Sequence, residues 1–380
     1  MIKKLELQNY TVFKKASFQF GKKLNIFIGE NGAGKTQILK LLYAILTLLP
    51  LYQKEEKLFF AHMVESKDLE LFKAIFKIDI IAELVNLEYR NKKTKILEHQ
   101  KVLDDHGKEI DVIRLNLANV ESNNKIYFEN NGKSYKYDIE LKYKDVIVSN
   151  MRNTKNISAF PTDLIPEVLF LPTRELLTIY PNYQSLSKKF HLPYDQTYDD
   201  TIVALGLPYE KEKVAEYEMI ITKLEKAIDG RIFLRNEKFY FHPNSALPEQ
   251  DFDINMTAEG WRKLGMILQL LRNGGLHSGM SLFWDEPEAN LNPQLIRLIA
   301  NIIVELSKLD IQIFIATQSL FLVNELELLI AEQKIKEGVR YFNLRKGNPV
   351  EQGDTFTELQ NVLLVDESIK QSNRYLEEDF

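Results

Sequence analysis

The pattern of apolar and polar positions divides the chain into a strand-rich opening, a β-rich middle and a closing half where apolar runs alternate with helical periods. Three runs near the start, Lys4 to Asn9, Ala16 to Phe20 and Leu24 to Ile28, predict a short β-meander. Gln37 to Leu49 reads as a buried helix. Glu55 to Val85 also has a helical period, with Leu58, Phe59, Met63, Leu69, Phe72 and Ile75 recurring on one face. Residues 86 to 148 are β-rich, with a hairpin turning at Asn130 to Gly132, and Glu167 to Pro172 is a further strand. Thr173 to Asp200 reads as loop and short helix. Residues 209 to 229 predict a charged amphipathic helix with Val214, Tyr217, Ile221 and Leu224 on one side, and a hairpin follows around Asn236 and Glu237. No heptad seam continues that helix, so no long coiled coil is predicted. Ser281 to Asp285 and Ile311 to Thr317 are two more apolar strands. Between them Asn292 caps a helix, Pro293 opens it, and Leu295, Ile296, Ile299, Ile302 and Ile303 form its buried face.

Between the third apolar run and the first helix lies GENGAGKT, Gly29 to Thr36. It matches the phosphate-binding P-loop pattern in the place such a loop must occupy, after a buried strand and before a helix. Gly29, Gly32 and Gly34 let the backbone fold into a cradle whose N–H groups face phosphate oxygens, and the helix beginning near Lys35 adds its positive dipole end. Glu30, Asn31, Ala33 and Gln37 complete the stretch expected to line ATP. Lys35 is expected to reach the β- and γ-phosphates, and Thr36 to ligate Mg²⁺. The run SLFWDEPEANLNP, Ser281 to Pro293, supplies the second half of the site. Asp285, at a strand's carboxyl end, suits the Mg²⁺ shell, and Glu286 suits polarising or orienting the attacking water. Standing alone, such a pair would read equally well as an acidic helix N-terminus without chemistry. Beside an intact P-loop it reads as a Walker B end.

Composition removes alternatives more than it adds chemistry. With 380 residues and 45% hydrophobic content the chain can bury a substantial core, and it shows no internal repeat or low-complexity linker, so a single unit is expected. Cysteine is absent, which excludes disulfides, thiolate catalysis and a cysteine zinc site and suits a reducing cytoplasm. The histidines, among them His62, His106, His191 and His242, show no metal-ligand spacing. A net charge of −5 gives no global electrostatic reason to bind DNA, although a local basic patch is compatible with it. The N-terminus lacks a signal-peptide core, and the longest apolar run, Ile38 to Leu51, contains Lys40 and Pro50 and is too short to span a bilayer. A cytoplasmic protein without a membrane partner is expected.

GENGAGKT together with FWDEPEANLNP resembles the ABC-type ATPase heads of the SMC, RecF and OLD group, and in particular the short AAA-type ATPases of bacterial defence systems. The stretch NMTAEGWRKLGMILQLLRN, Asn255 to Asn273, matches in position the ABC signature loop and its helix. The resemblance runs from Ile2 to about Leu344. It implies an α/β P-loop NTPase with a mixed central sheet, an antiparallel β subdomain and a helical lobe. On that template residues 1–175 and 276–350 form the nucleotide-binding lobe, 176–275 the helical signature lobe and 351–380 a C-terminal tail, whose acidic end, Val365 to Phe380, reads as a short partner-binding helix or, by default, a frayed end. In such heads two copies pair head-to-tail, and each signature loop closes on the γ-phosphate held by the other copy. The resemblance thus implies that Ala258 and Gly260 act in trans and that Asn292 lies in the D-loop. Trp261, Leu264, Leu268 and Leu271 share one helical face and read as core.

Two departures bear on rate. Ala258 stands where the signature serine is expected, with Thr257 adjacent, and Gln318 stands where the switch histidine is expected. Glutamine can hydrogen-bond a phosphate or water but cannot take up a proton. Loss of one such transition-state contact typically costs about 10²-fold or more in rate. The catalytic set implied is therefore Glu286, Lys35 and Gln318, in an ATPase that turns over slowly or serves as an ATP-held clamp. For the Q-loop, Arg174 with Glu175, or alternatively Gln184, are candidates. Lys14 and Lys15 read equally as nucleotide contacts or a solvated face.

The function implied is an ATP-gated homodimer, or a higher oligomer, regulating a separate effector such as a nuclease or toxin in anti-phage or foreign-DNA defence. With the sequence ending soon after the switch strand, the C-terminal nuclease domain of the OLD family is not expected in this chain, and a separate protein is expected to do the cutting. The alternative is a RecF-like clamp on DNA structures. A transporter subunit fits the TAEGW wording poorly.

Overall fold

The computed structural model describes residues 1–53, 97–103, 109–115, 123–130, 133–142, 145–147, 166–190, 192, 194–209, 217–247, 250–335 and 337–378. The helical period over Glu55 to Val85, the histidines His62, His106 and His191, and residues 131–132 of the first hairpin's turn lie outside them.

The chain begins with β1 (Ile2–Tyr10), β2 (Phe13–Gln19), β3 (Leu24–Gly29) and α1 (Lys35–Gln53). β4 (Leu97–Leu103) and β5 (Glu109–Leu115) form an antiparallel ribbon. β6 (Asn123–Asn130), β7 (Lys133–Lys142) and β8 (Asp145–Ile147) extend the β1–β2 pair into a five-stranded antiparallel sheet ordered β2-β1-β6-β7-β8. After β9 (Val168–Leu171) come α2 (Tyr183–Lys189), α3 (Gln196–Leu205) and α4 (Glu218–Ile228). A small sheet of β10 (Gly230–Arg235), β11 (Lys238–Pro243) and β12 (Phe252–Asp253) precedes α5 (Glu259–Arg272). The last third runs β13 (Ser281–Asp285), α6 (Pro293–Leu306), β14 (Gln312–Thr317), α7 (Leu320–Glu332), β15 (Val339–Leu344), β16 (Glu351–Gly353) and α8 (Leu363–Glu377).

A six-stranded sheet ordered β16-β15-β3-β14-β13-β9 organises the molecule, parallel from β15 to β9 with β16 antiparallel at one edge. Here the expected meander is corrected. β3 leaves β1 and β2 and lies between β14 and β15. All six of its residues are buried, which requires a strand covered on both faces, whereas β2 alternates buried and exposed positions as a one-sided strand does.

Successive side chains of the parallel strands feed two cores. Ile26, Leu169, Leu171, Leu282, Trp284, Ile313 and Ile315 face the helical side. Phe27, Phe170, Phe283, Phe314 and Phe342 face α1, β1 and β2. The phenylalanines stack across the sheet, Phe27 on Phe342 with centroids 4.7 Å apart and Phe283 on Phe314 at 4.9 Å. Because the parallel strands are in register, with Thr317 opposite Ile28, Asp285 opposite Ala316 and Trp284 opposite Leu171, the segments after β3, β9, β13 and β14 emerge at one edge.

Elsewhere the described residues both follow and depart from the pattern. Asn236 and Glu237 turn the β10–β11 hairpin, both in the left-handed region (φ 49° and 58°) that a two-residue type I′ turn demands. Of the charged helix the described residues hold Glu218–Ile228, with Tyr217 buried at the N-cap, and residues 210–216 lie outside the described set. The C-terminal tail contributes β16 to the sheet edge, and of the two readings of its acidic end the structure takes the helix, α8, with Leu364 and Val365 packed on the main core.

Candidate nucleotide site

The P-loop bridges β3 and α1 and is shaped by close approaches. A Cβ on Gly29 would lie 2.2 Å from the Leu344 carbonyl oxygen, and Gly34, at φ 96°, has Phe13 and Val12 within 2.8 Å of where its Cβ would be. Neither place accepts another residue without displacing its neighbours. Asn31 and Gly32 are exposed at the crest of the loop, and Ala33 is buried beneath it. Lys35 folds back over the loop, its Nζ donating to the carbonyl oxygens of Gly29 (2.6 Å) and Glu30 (3.0 Å). Burial pulls its pKa down, and Glu286, Asp285, Glu288 and Glu30 oppose that shift.

The second half of the site arrives on β13. Thr36 Oγ1 donates to the Asp285 carboxylate, 2.9 Å from Oδ1 and 3.1 Å from Oδ2, across 249 positions of sequence. Thr173, just after β9, adds its hydroxyl to Asp285 Oδ2 at 3.2 Å. This is the side chain from the expected Q-loop region that reaches the site. Arg174 is exposed, Glu175 accepts from Arg262 Nε (2.9 Å) and from the Leu177 and Thr178 amides, and Gln184 is exposed on α2.

Glu286 follows in the left-handed region, φ 46°, half-buried beside Asp285. Its N–H donates to the Ala316 carbonyl at 2.8 Å. Burial and the Asp285 charge push its pKa up; burial also raises Asp285 and Glu288. The raised Asp285, Glu286 and Glu288 form an environment that a divalent cation would relieve, and the lowered Lys35 one that the negative charge of a phosphate would relieve. The Thr36 hydroxyl and Asp285 are hard oxygen donors of the kind Mg²⁺ takes. The residues fit Mg²⁺ with a nucleotide phosphate; the Gln37 Oε1 atom is buried without a partner.

Three residues of the site were not singled out from the sequence. Thr173 was hidden because a threonine after a strand has no distinctive signal. Lys263, 2% exposed on α5, donates Nζ to the Glu286 and Ala289 carbonyl oxygens at 3.0 and 3.1 Å. Burial pulls its pKa down to about 8, against the charges of Glu288, Glu259, Glu286 and Asp285. A lone lysine on the otherwise apolar face of α5 was the available clue. Glu288, 8% exposed, accepts from Thr317 Oγ1 at 2.6 Å and from the Gln318 N–H at 3.3 Å, tying the Walker B turn to the end of β14. It stands two places beyond Glu286, inside the motif already quoted.

The Gln318 side chain is exposed at this junction. Lys14 and Lys15 are exposed on β2. In the signature stretch Ala258 is the N-cap residue of α5 and is exposed. Thr257 does not stand in for a serine there, because its hydroxyl donates inward to the Ile254 carbonyl at 2.7 Å. Gly260 is buried, and a Cβ there would come within 2.8 Å of the Leu295 side chain, so α5 approaches α6 closely at this point. Leu264, Leu268 and Leu271 are fully buried, with Trp261 packed against the same core 5.5 Å from the Phe241 ring. Asn292 caps α6, its Oδ1 accepting from the Leu295 N–H at 2.9 Å. His242 pairs with Asp251, and no metal-ligating cluster occurs among the described residues.

A P-loop whose threonine meets a Walker B aspartate at the carboxyl edge of a mostly parallel sheet defines a P-loop ATPase. Residues 24–324 match the family described as "AAA domain, putative AbiEii toxin, Type IV TA system", and the chain belongs to that family. Over 45 residues it is 42% identical to the "DNA replication and repair protein RecF" of Shouchella clausii (strain KSM-K16); the match covers 12% of this chain and 12% of that protein. Among solved structures it is similar to an SMC head bound to the C-winged helix domain of ScpA (15% identity, 93% of this chain and 97% of that one, TM-score 0.48). It is also similar to the SMC head domain from Thermotoga maritima (13% identity, 93% and 98%, TM-score 0.44). At these identities and scores the likenesses say nothing of what this chain binds. No helix among the described residues is long and apolar enough to cross a membrane.

Proposed function

We propose that this chain is a single ATPase head that binds ATP with Mg²⁺ at the P-loop, hydrolyses it slowly, and pairs head-to-tail with a second copy to control a separate effector in defence. The observation that supports the chemistry best is the direct contact of Thr36 with Asp285 under the P-loop. Thr36 and Asp285 would hold the Mg²⁺, which when bound neutralises charge on the β- and γ-phosphates. Lys35, already held over the loop, turns its ammonium to those oxygens. The backbone N–H groups of the loop and of the start of α1 fix their position. Glu286 orients the attacking water from the adjoining turn. Gln318 stands at the switch position, where it orients but cannot shuttle a proton, and this supports a slow rate. Ala258 and the start of α5 are exposed and so accessible to a second copy's nucleotide. The family description supports the defence reading.

Steady-state phosphate release tests this. Slow release that Glu286→Gln lowers by about 10²-fold to a residual rate with ATP binding retained, and that Gln318→His raises, is the expected result; many turnovers per second in the unaltered protein would overturn the slow-clamp reading. Mass measurement with a slowly hydrolysed ATP analogue should show a nucleotide-dependent dimer, and a monomer under every condition would sink the shared site. The RecF match supports a second reading, a clamp on DNA. DNA affinity that appears with ATP and falls steeply with salt would favour it.

A further inference from the structure

We infer that Lys263 is a positioning residue for Glu286, holding the Walker B turn in the one backbone conformation that aims the Glu286 carboxylate into the nucleotide site. The inference deepens the proposed function and rests on Glu286 being the residue that orients water.

The argument starts from the backbone. Glu286 occupies the left-handed region, φ 46°, which is uncommon for a residue with a Cβ and persists where the surroundings over-determine it. Two interactions do so. The Glu286 N–H is held by the Ala316 carbonyl of β14 at 2.8 Å, and its carbonyl oxygen is held by Lys263 Nζ at 3.0 Å. The same ammonium takes the Ala289 carbonyl at 3.1 Å, so a single cation gathers both ends of the turn. The turn also carries its own hydrogen bond, from the Ala289 N–H to the Glu286 carbonyl at 3.1 Å, and Lys263 adds a charged donor to that same oxygen from a different element.

Lys263 is also an unusual choice for a merely structural position. It is 2% exposed, its two hydrogen bonds go to neutral carbonyl oxygens, and its neighbours on α5, Leu264, Met266 and Ile267, are fully buried apolar residues. Burying an ammonium without a directly bonded carboxylate is costly. The negative charges of Glu288, Glu259, Glu286 and Asp285 offset part of that cost, and the hydrogen bonds of the ammonium single out the two carbonyl oxygens it aims at. α5 is a firm base for such a contact, because its face is packed into the main core and its Gly260 lies against Leu295 of α6.

The test is a double-mutant cycle in full-length protein. Lys263→Met keeps length and removes the donors; Lys263→Gln keeps one donor group. Lys263→Met is expected to lower the single-turnover hydrolysis rate by about 10-fold or more, with the ATP dissociation constant within about 2-fold of the unaltered protein, and Lys263→Gln to recover part of the rate. In a Glu286→Gln background Lys263→Met should cause no further loss, because its effect passes through Glu286. An unchanged rate in Lys263→Met, equal loss of rate and ATP binding, or fully additive losses in the double variant would overturn the inference. Should Lys263→Met fail to fold, Lys263→Gln in both backgrounds decides by the same non-additivity. Full activity in Glu286→Gln alone would instead refute the assignment of Glu286, and so separates failure of the underlying reading from failure of this one.

Discussion

The P-loop and the Walker B turn meet at Thr36 and Asp285, yet they are built in opposite ways. The P-loop's hydrogen bonds are mostly local, with Lys35 bonding carbonyls five and six residues before it, while its glycines admit the close approach of Leu344, Phe13 and Val12. The Walker B turn takes its geometry from elsewhere, from Lys263 on α5, Ala316 and Thr317 on β14, and Thr173 after β9. A loop of the first kind is recognisable as a motif because its parts are adjacent in sequence. A turn of the second kind is not, since most of its determinants are scattered.

The contrast predicts where damage falls. The largest effect is expected from Lys35→Ala. It removes the cation aimed at the phosphates and should lower turnover by about 10²-fold or more. Since burial penalises this ammonium in the folded protein, thermal unfolding without nucleotide should change little, while stabilisation by added ATP is lost. A large fall in the melting temperature of the nucleotide-free variant would show the P-loop to be less self-contained than the contrast holds.

Next comes Glu288→Ala, which leaves the Thr317 hydroxyl and the Gln318 N–H without their acceptor. Loss of a buried partner should cost about 1–3 kcal/mol in denaturant unfolding. Turnover should fall while nucleotide affinity holds, because the lesion lies in the turn and the switch junction. Equal loss of nucleotide binding would erase the distinction between the two halves.

The smallest effect is expected from Asn292→Ala. Removing the cap from α6 should cost about 1 kcal/mol in unfolding and leave turnover nearly unchanged. A large rate loss at unchanged stability would instead assign Asn292 a contact in trans.

Legibility in the sequence followed the same division. The P-loop, the strand ending in Asp285, the Asn292 cap and the Asn236–Glu237 turn could be read because each rests on neighbouring residues. The place of β3 could not, because a fully apolar run does not say which strands flank it; its burial on both faces decided that it lies inside the parallel sheet. Gly260 was recognised as special for another reason than the one the fold reveals, its close approach to Leu295. Thr257 beside Ala258 offered a spare hydroxyl on paper, and the fold turns it toward Ile254.

By itself, then, the sequence determined which residues are proposed for the phosphate cradle and the metal, Lys35, Thr36, Asp285 and Glu286, since they stand in contiguous motifs. Tertiary structure alone decided that Thr173, Lys263 and Glu288 join them. The reason is physical: parallel strands in register bring the segments after β3, β9, β13 and β14 to one edge. A lysine on a packed helix can then hold a turn more than twenty positions away in sequence.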